Sequence, residues 1–172
     1  SSTPLFAHLE ATAGIVTAIN PGANDALLDI GCGVGVTAVF LAGQFGCHVT
    51  GLDITPGMLE HAARRAAEHS VAGRTTFEAG DMRALPFADV AFDAVLAESV
   101  LSFAADKTAV LAEVWRVLRP GGRFAFTEAI WTKPPPPDMA AALAQAAGLP
   151  AGLLRHEEWL ALLHAGAWDA VQ

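Results

Sequence analysis

The residues able to do chemistry in this chain are mostly carboxylates, and they fall at regular places. In Leu27-Leu28-Asp29-Ile30-Gly31-Cys32-Gly33-Val34-Gly35, an apolar run ends in alternating glycines. Glycines at a strand end let backbone N–H groups come close to a ligand, beside a helix N-terminus. The spacing is G-x-G-x-G, whereas the dinucleotide fingerprint needs its third glycine at position 36, which is Val36. Asp29 precedes the first glycine by two, where a ligand amine is welcome and a phosphate is not. The loop therefore suits a cationic or zwitterionic ligand better than a pyrophosphate; a tight turn without ligand is the alternative. Asp53 is the last polar residue of the next apolar run, where a carboxylate can take both hydroxyls of a ribose. Its alternative role is helix capping, a place Thr55 already fills. Asp81, in Glu78-Ala79-Gly80-Asp81-Met82, can accept from an adenine amine or can be a turn aspartate. Glu98 and Glu128 end two further runs and are the candidates for a general base or a positioning group. Cys32 reads as a small loop residue and Cys47 as core. No His, Cys and Asp cluster has metal-ligand spacing, so no metal site is expected.

These residues need a scaffold that brings strand ends together. A helix is expected over 5–19 and a turn over 20–24. Buried strands follow at 26–30, 48–54, 75–79, 92–98 and 123–128. Helices are expected at 36–45, from Thr55-Pro56 to a stop at Gly73, and over 106–118 behind Asp106. Arg119-Pro120-Gly121-Gly122 reads as a turn feeding the fifth strand. Five strand–helix alternations predict an α/β doubly wound, mostly parallel sheet with helices on both faces. Beyond Ile130, four prolines at 134–137 make a stiff connector. Helical stretches at 138–147 and 156–165 follow, and 167–171 has the pattern of a further strand. His48 opens a strand and His156 a helix; Trp131 and Trp159 flank the variable segment, and Trp115 reads as packing.

Composition narrows the function. The 172 residues suit one domain. The net charge is −8, and the 10 basic residues form no run longer than Arg64-Arg65, which argues against a nucleic-acid partner. Mean hydropathy is +0.40, but it comes largely from 36 alanines, and no uninterrupted apolar window of spanning length exists. The two cysteines make no disulfide framework and no signal peptide is visible, so a cytoplasmic location is expected.

Taken in order, LLDIGCGVG, GLDITPGMLEHAARR, FEAGDMRALPF, FDAVLAESVLSF and VWRVLRPGGRFAFTE resemble the successive motifs of class I S-adenosylmethionine-dependent methyltransferases. The resemblance is closest to the small-molecule branch that includes the ubiquinone/menaquinone methyltransferases, and it covers about residues 15–131. It implies a seven-stranded doubly wound sheet with S-adenosylmethionine across the ends of strands one to three. Asp29 and Gly31 would serve the amino-acid part of this cofactor, with Gly33 and the Cys32 backbone lining the loop. Asp53 would bind the ribose, Ile54 would pack on the adenine, Asp81 would accept its amine, and Met82 would meet the ring edge. Glu98 and Ser99 fall where the methyl group faces the substrate.

Strand four ends Ala97-Glu98-Ser99-Val100, without the Asn/Asp-Pro-Pro-aromatic motif of nucleic-acid amino methyltransferases. The expected activity is methyl transfer to a small-molecule acceptor. A nicotinamide-dependent dehydrogenase or a non-catalytic methyltransferase-like binding module are the alternatives. One domain is expected, with a cofactor-binding core at 15–131 and a lid and substrate segment at 132–172. The family's last strand has no counterpart in the sequence, which leaves strand five as an apolar edge and opens a route to homo-oligomers.

Overall fold

The computed structural model describes residues 10–166 and Trp168. Five strands, β1 (Ala26–Ile30), β2 (His48–Asp53), β3 (Thr75–Ala79), β4 (Phe92–Glu98) and β5 (Leu118–Thr127), form one sheet of order β3-β2-β1-β4-β5. All four pairings are parallel. The order reverses between β1 and β4, so a cleft opens at the carboxyl ends of these strands, where doubly wound sheets bind ligands.

Side-chain alternation sorts the two faces. Leu27, Val49, Ala94, Leu96 and Ala125 point to one core, packed by Ile15 and Ile19 of α1 (Glu10–Ile19) and by Ala38, Leu41 and Ala42 of α2 (Val36–Phe45). Leu28, Ile30, Leu52, Val95 and Ala97 point to the other, packed by Val110, Val114 and Val117 of α4 (Lys107–Val117) and by Trp159 of α6 (His156–His164). The chain α3 (Pro56–Glu68) buries Leu59, Ala62 and Ala66. β1 and β4 are covered on both faces and are correspondingly apolar apart from Asp29, Asp93 and Glu98. β3 is an outer strand and keeps Thr76 and Glu78 exposed.

Several boundaries differ from expectation for physical reasons. β2 stops at Asp53, and Ile54 is 73% exposed. α3 ends at Glu68 rather than at Gly73; Ser70 takes the left-handed conformation (φ 59°), and Gly73 lies inside a 3₁₀ turn, Ala72–Arg74. Thr55 sits at the N-cap of α3 with no side-chain capping bond. β5 begins at Leu118, because the Pro-Gly-Gly segment is a bulge within the strand: Phe92 pairs with Leu118, and Ala94 pairs with Arg123. Of the expected first helix, 5–9 lie outside the described residues. So does the strand pattern at 167–171, apart from Trp168, which packs against Trp115 and Phe124.

α5 (Pro137–Ala147) begins at the fourth proline and buries none of its side chains, whereas α4 buries five. A helix without a buried face opens locally at little cost. Amides at 138–155 are therefore expected to exchange much faster than those at 106–118, measured by hydrogen exchange with mass spectrometry. Equal protection in both segments would refute this difference in local stability.

Candidate active site

Asp29 points to the α1/α2 face at the end of β1. It is 3% exposed, and its Oδ2 has no hydrogen-bond partner. Burial, then the charges of Glu98 and Asp53, pushes its carboxyl well above the usual carboxylate range. The glycine loop turns sharply, with Gly31, Gly33 and Gly35 at φ 70°, 52° and 73°. Its donors are largely taken up by the protein: Gly31 and Cys32 N–H both donate to Leu52 O (2.7 and 3.0 Å), and Gly35 N–H donates to Cys32 O (2.8 Å). The loop thus meets a ligand with its carboxylate neighbours and surface more than with an open row of N–H groups. The Cys32 thiol is pushed up by burial and by Asp29 and Asp53, so it stays protonated and is no nucleophile. Cys47 is fully buried, its thiol pushed up to about 11.

Asp53 ties two loops together. Its Oδ2 accepts from Gly33 N–H and its Oδ1 from Thr55 N–H, both at 2.9 Å. A carboxylate has about four lone-pair positions, so two stay open for a diol. Ile54 stands exposed beside it as an apolar platform. Asp81 is engaged by Arg83, which reaches Oδ1 through its backbone N–H (2.8 Å) and Nε (3.0 Å) and reaches Oδ2 through Nη2 (2.6 Å). This pairing holds the Asp81 carboxyl below its ordinary range. Met82 is half-buried against the α4-side core.

Glu98 and Glu128 are both fastened. Glu98 accepts from Thr12 Oγ1 of α1 (2.9 Å) and Thr37 Oγ1 of α2 (2.7 Å). Glu128 accepts from Leu101 N–H and from Ser102 Oγ, both 2.6 Å, and so pins the 3₁₀ turn Leu101–Phe103 after β4. Lys107, buried behind this turn, donates to Ala104 O (3.1 Å); burial lowers its ammonium from the ordinary range. Ser99 is exposed in the left-handed conformation (φ 53°), a strained geometry that recurs where the backbone serves a site.

Thr12, Thr37, Ser102, Lys107 and Arg83 were not legible as site residues. Thr12 leaves a trace, since it falls with Ile15 and Ile19 on one helical stripe, where a hydroxyl is out of place. A cavity of about 1260 Å³ does not reach Asp29, Asp53 or Asp81; it runs along the outer edge of β5, between Phe124, Phe126, Trp159 and Trp168. Trp159 lines it from a core position, at 4% exposure, and Trp131 is half-buried beside Arg155. Among the described residues, no group of three or more His, Cys, Asp or Glu comes together as a metal site.

The donor set fits an adenosyl amino acid. Asp29 offers a buried carboxylate oxygen without a hydrogen-bond partner at β1, Asp53 a carboxylate with two lone-pair positions open at β2, and Ile54 an exposed apolar side chain next to it. The methyltransferase domain family matches residues 28–126. An arsenite methyltransferase of Halobacterium salinarum is 32% identical over 157 residues, 90% of this chain and 39% of that protein. The 27-O-demethylrifamycin SV methyltransferase of Amycolatopsis mediterranei is 43% identical over 103 residues, 60% of this chain and 38% of that protein. Among solved structures, the [4+2]-cyclase SpnF superposes with a TM-score of 0.81 at 28% identity, covering 90% of this chain and 56% of that one. A geranyl diphosphate methyltransferase in complex with SAM superposes at 0.80 with 26% identity, covering 94% and 67%. The chain spans about two-fifths of the length of these curated relatives. Five parallel strands in this order, the carboxylates at successive strand ends and the domain match make the chain a member of the class I S-adenosylmethionine-dependent methyltransferases.

Proposed function

We propose that the protein transfers the methyl group of S-adenosylmethionine to a small-molecule acceptor. The observation that carries this reading is the placement of Asp29, Asp53 and Asp81 on or beside the ends of β1, β2 and β3, the three strands on one side of the strand-order reversal. Asp29 would face the ammonium, Asp53 the ribose, and Asp81 with Met82 the adenine, while Ile54 covers a ring face. The bound sulfonium supplies an already activated methyl group. What the chain must add is alignment for in-line displacement, and orientation of that kind can contribute on the order of 7–11 kcal/mol.

Glu98 and Glu128 each accept two short hydrogen bonds, which favours positioning over proton abstraction. Glu98 holds α1 and α2 to the end of β4; Glu128 holds the turn that carries Phe103, 52% exposed, toward the acceptor side. Ser99, on the strained corner between them, is the side chain left to meet the acceptor. The cofactor core then occupies about 15–131, and 132–172 forms the substrate side. Kinship with the ubiquinone/menaquinone branch is supported by the five ordered motifs, and the low basic content supports an acceptor other than nucleic acid. No described helix is long and apolar enough to cross a membrane; the cytoplasmic reading is supported by two cysteines that make no disulfide framework. Among the described residues β5 is an outermost strand of the sheet, which supports a homo-oligomer formed along that edge.

Calorimetric titration with S-adenosylmethionine and with NAD separates this reading from a dehydrogenase. Incubation with labelled cofactor and small-molecule extracts separates it from binding without turnover. Cofactor binding with no labelled product from any extract would favour a non-methylating role, which the resemblance to a protein named a cyclase makes concrete. Asp53→Ala is expected to weaken S-adenosylmethionine binding about tenfold or more with the fold intact, because it removes charge-assisted hydrogen bonds worth about 1.5–3 kcal/mol each. An unchanged dissociation constant would sink the ribose assignment.

A further inference from the structure

The end of β1 is an unusual electrostatic place. Asp29, Asp53 and Glu98 are close enough for the charges of the last two to act on the first. Among the described residues, no Lys, Arg or His makes a salt bridge or hydrogen bond with any of them. Asp53 is held by two backbone N–H groups and Glu98 by two threonine hydroxyls. Both therefore keep donors that stabilise their anionic forms. Asp29 has neither compensation: its Oδ2 is sealed from solvent without a donor. The strands on either side offer no help, because β2 places Gly51 and β4 places Leu96 opposite it. The Cys32 thiol close by is itself held in its neutral form.

We propose that Asp29 carries a proton in the cofactor-free protein and releases it when the ammonium of the cofactor docks, so that binding is coupled to proton release and selects ligands that bring a cation to β1. This rests on the cofactor reading given above. An isolated buried carboxylate among two other anions is most cheaply kept neutral, and a cation replaces the proton as soon as one arrives. The balance is simple: the Asp29 carboxylic acid becomes a carboxylate paired with the ligand ammonium, and one proton leaves to solvent.

The test is calorimetric titration of the full chain with S-adenosylhomocysteine, in buffers of different ionisation enthalpy, from about pH 5 to about pH 8. The dependence of the observed heat on buffer enthalpy counts the protons exchanged. The wild type is expected to release close to one proton at the acid end, and its affinity to rise up to about tenfold per pH unit until Asp29 is ionised without ligand. Asp29→Asn, titrated at higher ligand concentration and checked for folding by circular dichroism, is expected to release none. Glu98→Gln removes one of the facing charges and is expected to move the break in the affinity profile to lower pH. The homocysteine analogue lacking the α-amino group is expected to bind at least about tenfold more weakly and to release no proton. Proton-neutral binding by the wild type across the range overturns the proposal, as does undiminished release in Asp29→Asn or full affinity of the deaminated analogue. Absence of any binding heat with either adenosyl ligand would instead overturn the cofactor reading itself.

Discussion

Asp29→Asn is expected to make the cofactor-free protein more stable at neutral pH, by about 1–3 kcal/mol, and to weaken cofactor binding about a hundredfold or more. The two effects have one origin. Asp29 is buried at the end of β1 with an unpartnered oxygen and two anionic neighbours, so ionising it in the absence of a ligand is unfavourable. Its folded-state pKa lies above its unfolded value. Its contribution is therefore fully favourable at pH below the ordinary carboxylate range, and it is lost as pH rises toward the folded pKa. Asn does not titrate, so the stability gap between variant and wild type should widen with rising pH over that window and then level off. The same substitution replaces a buried carboxylate that has an unpartnered oxygen by a neutral amide, and a ligand ammonium brought to β1 would find no counter-charge. Urea unfolding at about pH 5 and about pH 8, beside calorimetry with S-adenosylmethionine, checks both halves. A variant less stable than wild type at both pH values, or one that binds the cofactor equally well, would refute this account.

That coupling of stability and binding explains which parts of the molecule could be read from the residues alone. β1 is a run of Ala26-Leu27-Leu28-Asp29-Ile30, and a lone aspartate in a strand buried on both faces has few roles other than a site. The helices α2 and α4 were legible because apolar spacing and Asp106 mark them, and Asp106 does cap α4 through Ala109 N–H at 3.0 Å. β5 was legible only in part. Pro120, Gly121 and Gly122 carry turn chemistry, yet Arg119 is anchored to Asp93 beside the bulge and the ladder continues past it. A turn signal embedded in a strand by a tertiary ion pair cannot be recognised from local residues.

The same limit applies to the site. The aspartates announce themselves by position, whereas their partners come from far along the chain. Thr12 meets Glu98 across 86 positions and Thr37 meets it across 61. Glu128 meets Ser102 across 26 positions, so whether either glutamate is a free base or a fastened strut depends on contacts that only the fold creates. Arg83 is a different case. It lies two residues from Asp81, close enough to see, but an exposed i,i+2 pair has no regular geometry from which its bidentate grip could be anticipated.

Gly31→Ala is expected to destabilise the protein by about 2–5 kcal/mol, well beyond the effect of the same change two residues on. Gly31 sits at φ 70°, and a Cβ there would lie 2.4 Å from Val100 Cγ2 and 2.8 Å from Val100 Cβ. The left-handed backbone costs a residue with a side chain about 1–2 kcal/mol, and forcing a methyl into a packed contact adds about 1–3. Gly33 also has a positive φ, 52°, but nothing lies within 4 Å of its would-be Cβ, so Gly33→Ala should show the backbone cost alone. Val100 follows the strained Ser99, and Gly31 N–H is anchored to Leu52 O at 2.7 Å, so neither side of the contact can retreat freely. The close approach joins the loop after β1 to the corner after β4, the two places the proposed reaction must hold together. Val100→Ala in the Gly31→Ala background removes the Cγ contacts but keeps the Cβ at 2.8 Å, so it should relieve part of the clash and leave the backbone cost, giving a coupling of about 1 kcal/mol or more in a double-mutant cycle read by urea unfolding. Cofactor affinity should follow the same pattern: reduced in Gly31→Ala, partly restored in the double variant. If Gly31→Ala costs no more than Gly33→Ala, or if trimming Val100 brings no relief, the approach of these two segments is not what requires glycine at position 31.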